Sequence, residues 1–145
     1  MKFLPIFLNI KDQPCLVVVG GQVASRKIFM LIRAGGKVTV ISPELSSEVA
    51  KLADKGELTH SKAVFKAGDV GNYRIVIAAT NSREVNQAVY EEASAKNIPV
   101  NVVDTPDLCS FITPSIIDRD PVQIAISTGG SSPVLARLLR SKLET

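Results

Sequence analysis

The sequence predicts an α/β fold in which a doubly wound parallel sheet is followed by a short C-terminal region. One observation is a set of four short apolar runs, rich in β-branched residues, at positions 15–19, 37–42, 74–80 and 99–104. Runs of this length, bounded by turn residues, are typical of buried strands. The other observation is that a helical pattern follows each of the first three runs. Strands that alternate with helices pair in parallel through right-handed crossovers, and this gives the fold class.

The remaining elements of the sheet domain follow from periodicity and from stop signals. Helices are predicted at residues 23–34, 46–55 and 82–96, and a weaker fifth strand near residues 58–64. Gly35 and Gly36 end the first helix, and Gly56 ends the second. The last strand of the sheet is predicted to end at Asp104.

The pattern changes after this strand. Residues 111–117 and 122–128 are predicted to form two strands joined by the turn DRDP. Ser132 and Pro133 are the expected N-cap and first residue of a last helix.

The last helix has an apolar face that the remaining chain is too short to cover. Its members are Val134, Leu135, Leu138, Leu139 and Leu143. We expect a second copy of the chain to cover this face, which predicts a homodimer. The domains are predicted as residues 1–112 and 113–145.

Composition excludes several function classes. The chain has 145 residues, 46% of them hydrophobic, which is enough apolar material for a compact core. No apolar run approaches the roughly 20 residues of a membrane-spanning helix, and residues 1–14 lack the pattern of a secretory signal. We therefore expect a cytoplasmic protein that does not contact membranes. A net charge of +3 is too small to indicate nucleic acid.

The residues that bind transition metals or form disulfides are scarce. Cys15, Cys109 and the single histidine, His60, are too few and too far apart in sequence for a closed metal site. We expect neither a metal bound by protein ligands nor a disulfide, and we interpret Cys15 as a small buried thiol.

A glycine turn lies between the first strand and the first helix, in the stretch CLVVVGGQVASRK. In the Rossmann fingerprint GxGxxG/A, the second glycine lets the backbone approach a pyrophosphate, and the third small residue lets helix and strand pack. Gly21 and Ala24 fill these positions, whereas Val19 replaces the first glycine. Gly20 is expected to form the sharp part of the turn. The same kind of turn occurs in α/β domains that bind nothing, so this alternative stays open.

The helix after this turn and the end of the second strand predict how a dinucleotide binds. The amides of Gln22 and Val23 open the helix toward a phosphate. The acid that usually takes the ribose hydroxyls is replaced by Ser42, with Glu44 two residues on. A hydroxyl contact and a backbone contact with the ribose both stay open. Because no arginine follows to receive a 2′-phosphate, NAD is favoured over NADP.

Several longer segments carry a resemblance to a known family. In order they are LPIF, VVVGGQVASRK, VTVISPEL, IAATN, VNVVD, SFITPSIIDRDP and STGGSSPVLARLLR. With them, essentially the whole chain resembles the N-terminal region of siroheme synthases, a module that also occurs as precorrin-2 dehydrogenase and sirohydrochlorin ferrochelatase. The resemblance implies NAD bound on a Rossmann domain, a dimerisation region, and oxidation of precorrin-2 to sirohydrochlorin. Many members also insert Fe²⁺.

The resemblance also implies roles for particular residues. Asp104 corresponds to the aspartate linked to dehydrogenation, and the NAD contacts correspond to residues 20–23 together with Pro43 and Glu44. The chain departs from the family where Val19 replaces a glycine, and it stops at Thr145 inside the dimerisation region, which is therefore predicted to be truncated.

The fold predicts where these residues meet. Ligands of open α/β sheets bind beyond the carboxyl ends of the strands, where we expect Gly21, Ser42, Thr80 and Asp104. We predict that Asp104 follows a central strand and takes the proton lost during oxidation. On pattern alone, a helix cap or turn residue before Thr105 and Pro106 is the favoured interpretation, and the resemblance to the family reverses this preference.

The acetate and propionate groups of a tetrapyrrole need cations and N–H donors. The expected substrate-binding residues are Ser127, Thr128, Gly129, Gly130, Ser131, Arg119 and Arg137. Helix capping and solvated basic side chains are the alternative interpretation. Because the macrocycle supplies four nitrogen ligands, Fe²⁺ is expected as a substrate and needs no site built from protein ligands.

Two other functions are compatible with the sequence. One is a non-enzymatic NAD-sensing module, which has no need of Asp104 or of the segment after it. The other is a dimerisation module that does not bind NAD because of Val19.

Overall fold

The computed structural model describes residues 1–19 and 24–145, and strands alternate with helices through most of the chain. The strands of the main sheet are β1 (Pro14–Val19), β2 (Lys37–Ser42), β3 (Leu58–Lys62), β4 (Ile75–Ala79) and β5 (Val100–Val102). The helices between them are α1 (Ser25–Arg33), α2 (Ser47–Asp54) and α3 (Arg83–Ala95). A 3₁₀ turn covers Pro106–Leu108. The predicted alternation is confirmed.

The five strands of the described chain pair in parallel in the order β3-β2-β1-β4-β5. β1 is central, and its Val17 faces Val40 of β2 on one side and Ile77 of β4 on the other. This order, in which the chain leaves β1 in one direction and then returns to its other side, is the Rossmann-like topology. The predicted fold class is therefore confirmed, and the carboxyl ends of β1, β2, β4 and β5 lie at one edge of the sheet.

One detail of the prediction is wrong. Asp104 was expected after a central strand, but β5 is the outermost strand on its side of the sheet. A single sequence gives the number of strands but not their order, because the order depends on which way each crossover passes over the sheet.

Side-chain caps and a left-handed glycine fix the ends of the helices. Ser46 accepts a hydrogen bond from the Val49 amide at 3.3 Å, and Ser82 accepts one from the Val85 amide at 3.2 Å. Gly35, with φ of +85°, follows α1 and turns the chain into β2. The start of α1 was predicted at Val23, which lies outside the described residues.

The C-terminal segment forms an antiparallel pair and a helix. β6 (Ser115–Arg119) pairs with β7 (Val122–Ile126), and α4 (Pro133–Glu144) follows. The first strand begins later than the predicted residue 111 and extends through Arg119. The connection is only Asp120 and Pro121, because Arg119 still pairs with Val122. Backbone pairing across the hairpin has overridden the turn preference of Asp118.

The described chain divides into two units, residues 7–110 and residues 1–6 with 111–145. The predicted division at residue 112 differs, because residues 1–6 group with the C-terminal segment. Within that unit, the Phe3 ring lies 3.7 Å from the point where a Cβ on Gly129 would be. An apolar side chain at the N-terminus thus packs on the turn before α4. No helix of the described residues is long and apolar enough to cross a membrane.

Candidate functional site

A cleft lies in the unit of residues 7–110, where the end of β1, the start of α1 and the loop from β2 to α2 meet. Its lining residues are Val19, Ala24, Ser25, Ile28, Val40, Glu44, Leu45, Ser46 and Val49. The floor is apolar and comes from strand ends and helix side chains, while Glu44 and the serines bring polar groups to its rim. The cleft lies beyond the carboxyl ends of β1 and β2, where ligands of open α/β sheets bind.

In the sequence, the glycine turn stands between β1 and α1, whose ends line this cleft. Residues 20–23, the predicted pyrophosphate contacts, lie outside the described residues, so the roles of Gly20, Gly21, Gln22 and Val23 stay predictions. Ala24 is 2% exposed, as the predicted close packing of helix and strand requires.

The start of α1 differs from the starts of the other helices. α2, α3 and α4 each begin at a serine whose hydroxyl accepts an amide hydrogen bond. α1 begins after Ala24, which has no polar side chain, and its first turn contains no acidic residue. An anion at this position would accept from the first amides of α1 and would meet no carboxylate in that turn. The described residues on both sides of the glycine turn therefore fit a dinucleotide phosphate.

The turn after β2 is held by the predicted contact residue Ser42. Its side chain is fully buried, and its hydroxyl donates to the Glu44 carbonyl oxygen at 2.7 Å. His60 Nε2 lies 3.1 Å from the same hydroxyl oxygen and 3.0 Å from the Ser42 carbonyl oxygen. Ser42 thus shapes the turn from inside, and its contact with a ribose stays a prediction. Pro43 and Glu44 are exposed beside it.

His60 was missed as a residue of this site. Its place in the site follows from the register of β2 and β3, in which His60 lies opposite Val40. Side chains two residues apart on a strand share a face, so Val40 and Ser42 point to the side from which His60 approaches. The register between two strands cannot be read from a single sequence.

Thr80, the predicted contact after β4, ties that strand to α3. Its hydroxyl lies 2.6 Å from the Asn86 Oδ1 atom, and the Ser82 amide donates to the Thr80 hydroxyl oxygen at 3.2 Å. Asn86 Nδ2 donates in turn to the Thr80 carbonyl oxygen at 3.1 Å. This reciprocal pair fixes the loop at the carboxyl end of β4, and Asn86 is a second residue that sequence reasoning missed.

Asp104 lies in a tight turn after β5, and its side chain is exposed. Its φ of +60° is in the left-handed region, which aspartate tolerates better than most residues. The Thr105 amide donates to the Val102 carbonyl oxygen at 3.1 Å, and the Cys109 thiol donates to the same oxygen at 3.2 Å. The Val103 amide donates to the Ala78 carbonyl oxygen of β4 at 2.9 Å. These bonds hold the turn that carries the carboxylate.

Lys27 of α1 contributes positive charge near this turn. Burial lowers the pKa of Lys27, while electrostatic interactions with Cys109 and Asp104 act in the opposite direction. Burial likewise raises the pKa of the Cys109 thiol, with Lys27 opposing that shift. The position of Lys27 could have been noticed in the sequence, because this lysine falls within the apolar stripe of α1 formed by Ala24, Ile28 and Leu31. A lysine inside such a stripe is a candidate for a positioned charge.

The predicted substrate-binding turn, residues 127–131, belongs to the other unit. Gly129 and Gly130 have φ of +68° and +88°, conformations that glycine adopts without strain. The Ser127 hydroxyl accepts from the Gly129 amide at 3.0 Å, and the Thr128 hydroxyl accepts from the Ser132 amide at 2.8 Å. Ser131 donates through its hydroxyl to the Thr128 carbonyl oxygen. The hydroxyls therefore organise the turn, and carboxylate binding by these residues stays a prediction.

The predicted cations of this unit are on its surface. Arg119 Nη2 lies 3.9 Å from the Glu144 Oε1 atom, and Arg140 Nη2 lies 3.3 Å from the same oxygen. Arg137 is exposed on α4. Exposed pairs of this kind contribute little stability, so these side chains are able to rearrange around an anion. Within the described residues, no group of three or more His, Cys, Asp or Glu side chains is arranged to hold a metal ion.

Comparison with known families gives two matches along the chain. The model of the family described as putative NAD(P)-binding matches residues 6–115. The model described as sirohaem biosynthesis protein central matches residues 119–145. The first match contains the whole of the cleft and Asp104, and the second contains α4.

Individual relatives give the same result. The siroheme synthases of Methylobacillus flagellatus and Methylococcus capsulatus are each 54% identical over 145 residues, which is 100% of this chain. The chain spans only 31% of the length of either relative. Among solved structures, SirC, a precorrin-2 dehydrogenase, superposes with a TM-score of 0.85 at 28% identity, over 98% of this chain and 70% of that one.

Proposed function

Since the chain belongs to the family described as putative NAD(P)-binding, we propose that it binds NAD⁺ and uses it to oxidise precorrin-2 to sirohydrochlorin. The observation that carries the proposal is the cleft at the carboxyl edge of the sheet, which lies within the residues that the family matches. The similarity to siroheme synthases, predicted from the sequence motifs, is confirmed by the identities of 54%. The activity itself belongs to the proposal.

The proposed cofactor site draws on two loops. The start of α1 and the glycine turn, Gly20 to Val23, would bind the pyrophosphate, and the loop of Pro43 and Glu44 would bind the ribose of the adenosine half. The exposed Glu44 carboxylate accepts hydrogen bonds from ribose hydroxyls and repels a 2′-phosphate, which favours NAD over NADP. Thr80 and Asn86 fix the loop that closes the edge between β4 and α3. When bound, NAD⁺ supplies the acceptor for the hydride.

Asp104 is the proposed proton acceptor. Oxidation of the reduced macrocycle removes a hydride and a proton, and the proton needs a base at the carboxyl edge of the sheet. Asp104 offers an exposed carboxylate there, on a turn fixed by hydrogen bonds to β4 and β5. Lys27 of α1 contributes positive charge near this turn.

The proposal extends to the second unit. The turn of Ser127, Thr128, Gly129, Gly130 and Ser131, with Arg119 and Arg137, is proposed to bind the acidic side chains of the tetrapyrrole. Insertion of Fe²⁺ as a second reaction, the homodimer and a location in the cytoplasm are further proposals. The dimer is supported by α4, where Val134, Leu135, Leu138, Leu139 and Leu143 are 41% to 57% exposed. Apolar faces of this kind are typical of interfaces between subunits.

The test is to incubate the purified protein with precorrin-2 and NAD⁺. We expect NADH absorbance and the sirohydrochlorin spectrum to appear together, in equal amounts. Omitting either reactant is the control. NAD⁺ binding without any oxidation, in a protein whose dimer is intact, would contradict the enzyme and favour the NAD-sensing module.

A further inference from the structure

We propose that His60 is a positioning residue of the cofactor cleft, because it fixes the loop that carries Glu44 through a directed chain of hydrogen bonds. The inference deepens the proposed function, since it rests on NAD⁺ occupying this cleft. Nothing in the glycine turn or in the predicted contact residues requires a histidine on β3.

The first step is the placement of the ring. β3 pairs with β2 so that His60 lies opposite Val40, a buried residue that lines the cleft. Ser42 is two residues further along β2 and shares the face of Val40. The imidazole therefore extends along the carboxyl end of β2, where Nε2 lies 3.0 Å from the Ser42 carbonyl oxygen and 3.1 Å from its hydroxyl oxygen.

The second step is the direction of the hydrogen bonds. A carbonyl oxygen only accepts, so His60 Nε2 carries a hydrogen whether the ring is neutral or charged. The Ser42 hydroxyl uses its one hydrogen to donate to the Glu44 carbonyl oxygen at 2.7 Å, so toward His60 it accepts. The one hydrogen on His60 Nε2 is therefore shared between the Ser42 carbonyl and hydroxyl oxygens, and the hydroxyl donates its own hydrogen to the Glu44 carbonyl oxygen. Successive bonds in one direction polarise and strengthen one another.

The third step is what the chain controls. Ser42 is 0% exposed, so the geometry of its hydroxyl depends on these protein partners. Its carbonyl oxygen also accepts from the Ala63 amide at 3.2 Å, so the strand end keeps one bond without His60. The hydroxyl, in contrast, loses its donor when His60 is replaced, and its orientation then depends only on the bond that it donates to the Glu44 carbonyl oxygen. The Glu44 backbone, and with it the carboxylate at the rim, is then held less firmly.

The first measurement uses the protein without cofactor. His60 is the single histidine of the chain, so its imidazole ¹⁵N signals need no assignment. We expect the neutral ring to carry its hydrogen on Nε2, and we expect these signals to shift when NAD⁺ saturates the protein. A neutral ring with its hydrogen on Nδ1, or signals that NAD⁺ leaves unchanged, would overturn the inference even if no variant folds.

The second measurement compares the NAD⁺ affinities of three variants by calorimetric titration. His60→Phe keeps a ring of similar size but removes the donor, and it is expected to weaken binding by about threefold to tenfold, the range of one neutral hydrogen bond. His60→Gln keeps an N–H donor at similar reach and is expected to restore affinity to within about twofold of the parent. Thr59→Val, on the exposed face of the same strand, is the matched control and is expected to leave affinity unchanged.

The outcomes separate this inference from the proposed function. If the parent binds NAD⁺ and His60→Phe binds it equally well, the role of His60 is overturned while the cofactor site stands. If His60→Phe and His60→Gln lose affinity equally, His60 matters through packing, and the donor role is likewise overturned. If the parent does not bind NAD⁺ at all, the cofactor part of the proposed function fails together with this inference.

Discussion

The two units of the chain differ in how they cover their apolar side chains. In residues 7–110, the strands β1, β2, β4 and β5 are buried on both faces, and the described large hydrophobic residues that stay exposed are Phe7 and Val64. In the other unit, the buried hydrophobic residues are Ile117 and Ala136, while β7 and α4 expose a run of valine and leucine side chains. The difference separates their tasks. The first unit, residues 7–110, is a closed scaffold for a cleft. The second unit is open, because it presents an apolar surface, and covering that surface would stabilise the unit.

The largest expected effect comes from the carboxylate on the edge of the closed unit. Asp104→Asn keeps the size of the side chain but removes its basicity, so turnover of precorrin-2 is expected to fall by about a hundredfold or more. NAD⁺ affinity is expected to stay within about twofold, because the turn is held by backbone and Cys109 hydrogen bonds. Steady-state rates and calorimetric titration measure the two effects.

The control for this prediction is Asp107→Asn, an exposed aspartate in the adjacent 3₁₀ turn. It is expected to turn over at the parent rate. Equal rates for Asp104→Asn and the parent would show that Asp104 is a turn residue only and that the proton leaves to water.

The open unit gives the next largest effect, on association. Leu138→Glu places a charge in the middle of the exposed face of α4, and it is expected to cost the dimer about 2 kcal/mol or more of association free energy. Sedimentation across a concentration series measures the shift toward monomer. Val64→Glu makes the same kind of change at a residue 65% exposed in the closed unit, and it is expected to leave the oligomeric state alone. A parent that sediments as a monomer at all concentrations would contradict the dimer.

A smaller effect, on stability, tests how tightly the closed unit is packed. A Cβ on Gly36 would lie 2.8 Å from the Cys15 sulfur and 3.2 Å from the Ile10 Cδ1 atom. Gly36→Ala is therefore expected to lower the free energy of unfolding by about 1 to 3 kcal/mol, as overpacking does. Urea denaturation measures the change. Gly71→Ala is the matched control, because a Cβ there meets Tyr73 only at 3.8 Å. Equal stabilities for the two variants would show that the side chains around Cys15 rearrange to accept the added methyl group at little cost in free energy.

A further effect on stability is the pH dependence that this same core creates. Burial raises the pKa of Cys15 from 9.0 to about 11. Between these values the unfolded chain loses the thiol proton and the folded chain keeps it, so rising pH favours unfolding, whereas below pH 9 the thiol has no effect. The free energy of unfolding is expected to fall by up to about 1.4 kcal/mol per pH unit across this window. Cys15→Ala is expected to show a shallower slope in the same urea titrations, and parallel slopes would contradict it.

Local sequence determined most of the elements and the family. The apolar runs, the N-cap predicted at Ser132 and the glycines after α1 place strands and helices close to where the structure has them. These signals are readable because a cap or a period depends on residues within a few positions of each other. The motifs that resemble siroheme synthases likewise needed no structure. Residues 20–23, the predicted pyrophosphate contacts, lie outside the described part of the chain, and their role remains a prediction.

Tertiary structure alone decided which distant residues meet. It set β5 at the edge of the sheet, placed the charge of Lys27 near Asp104, and joined His60 to Ser42 across 18 positions. It also extended β6 through Arg119, where the local composition predicted a turn. The physical reason is common to all four cases. Strand order and register are fixed by burial of whole faces and by hydrogen bonds between strands, and these energies arise only after residues far apart in sequence have come together.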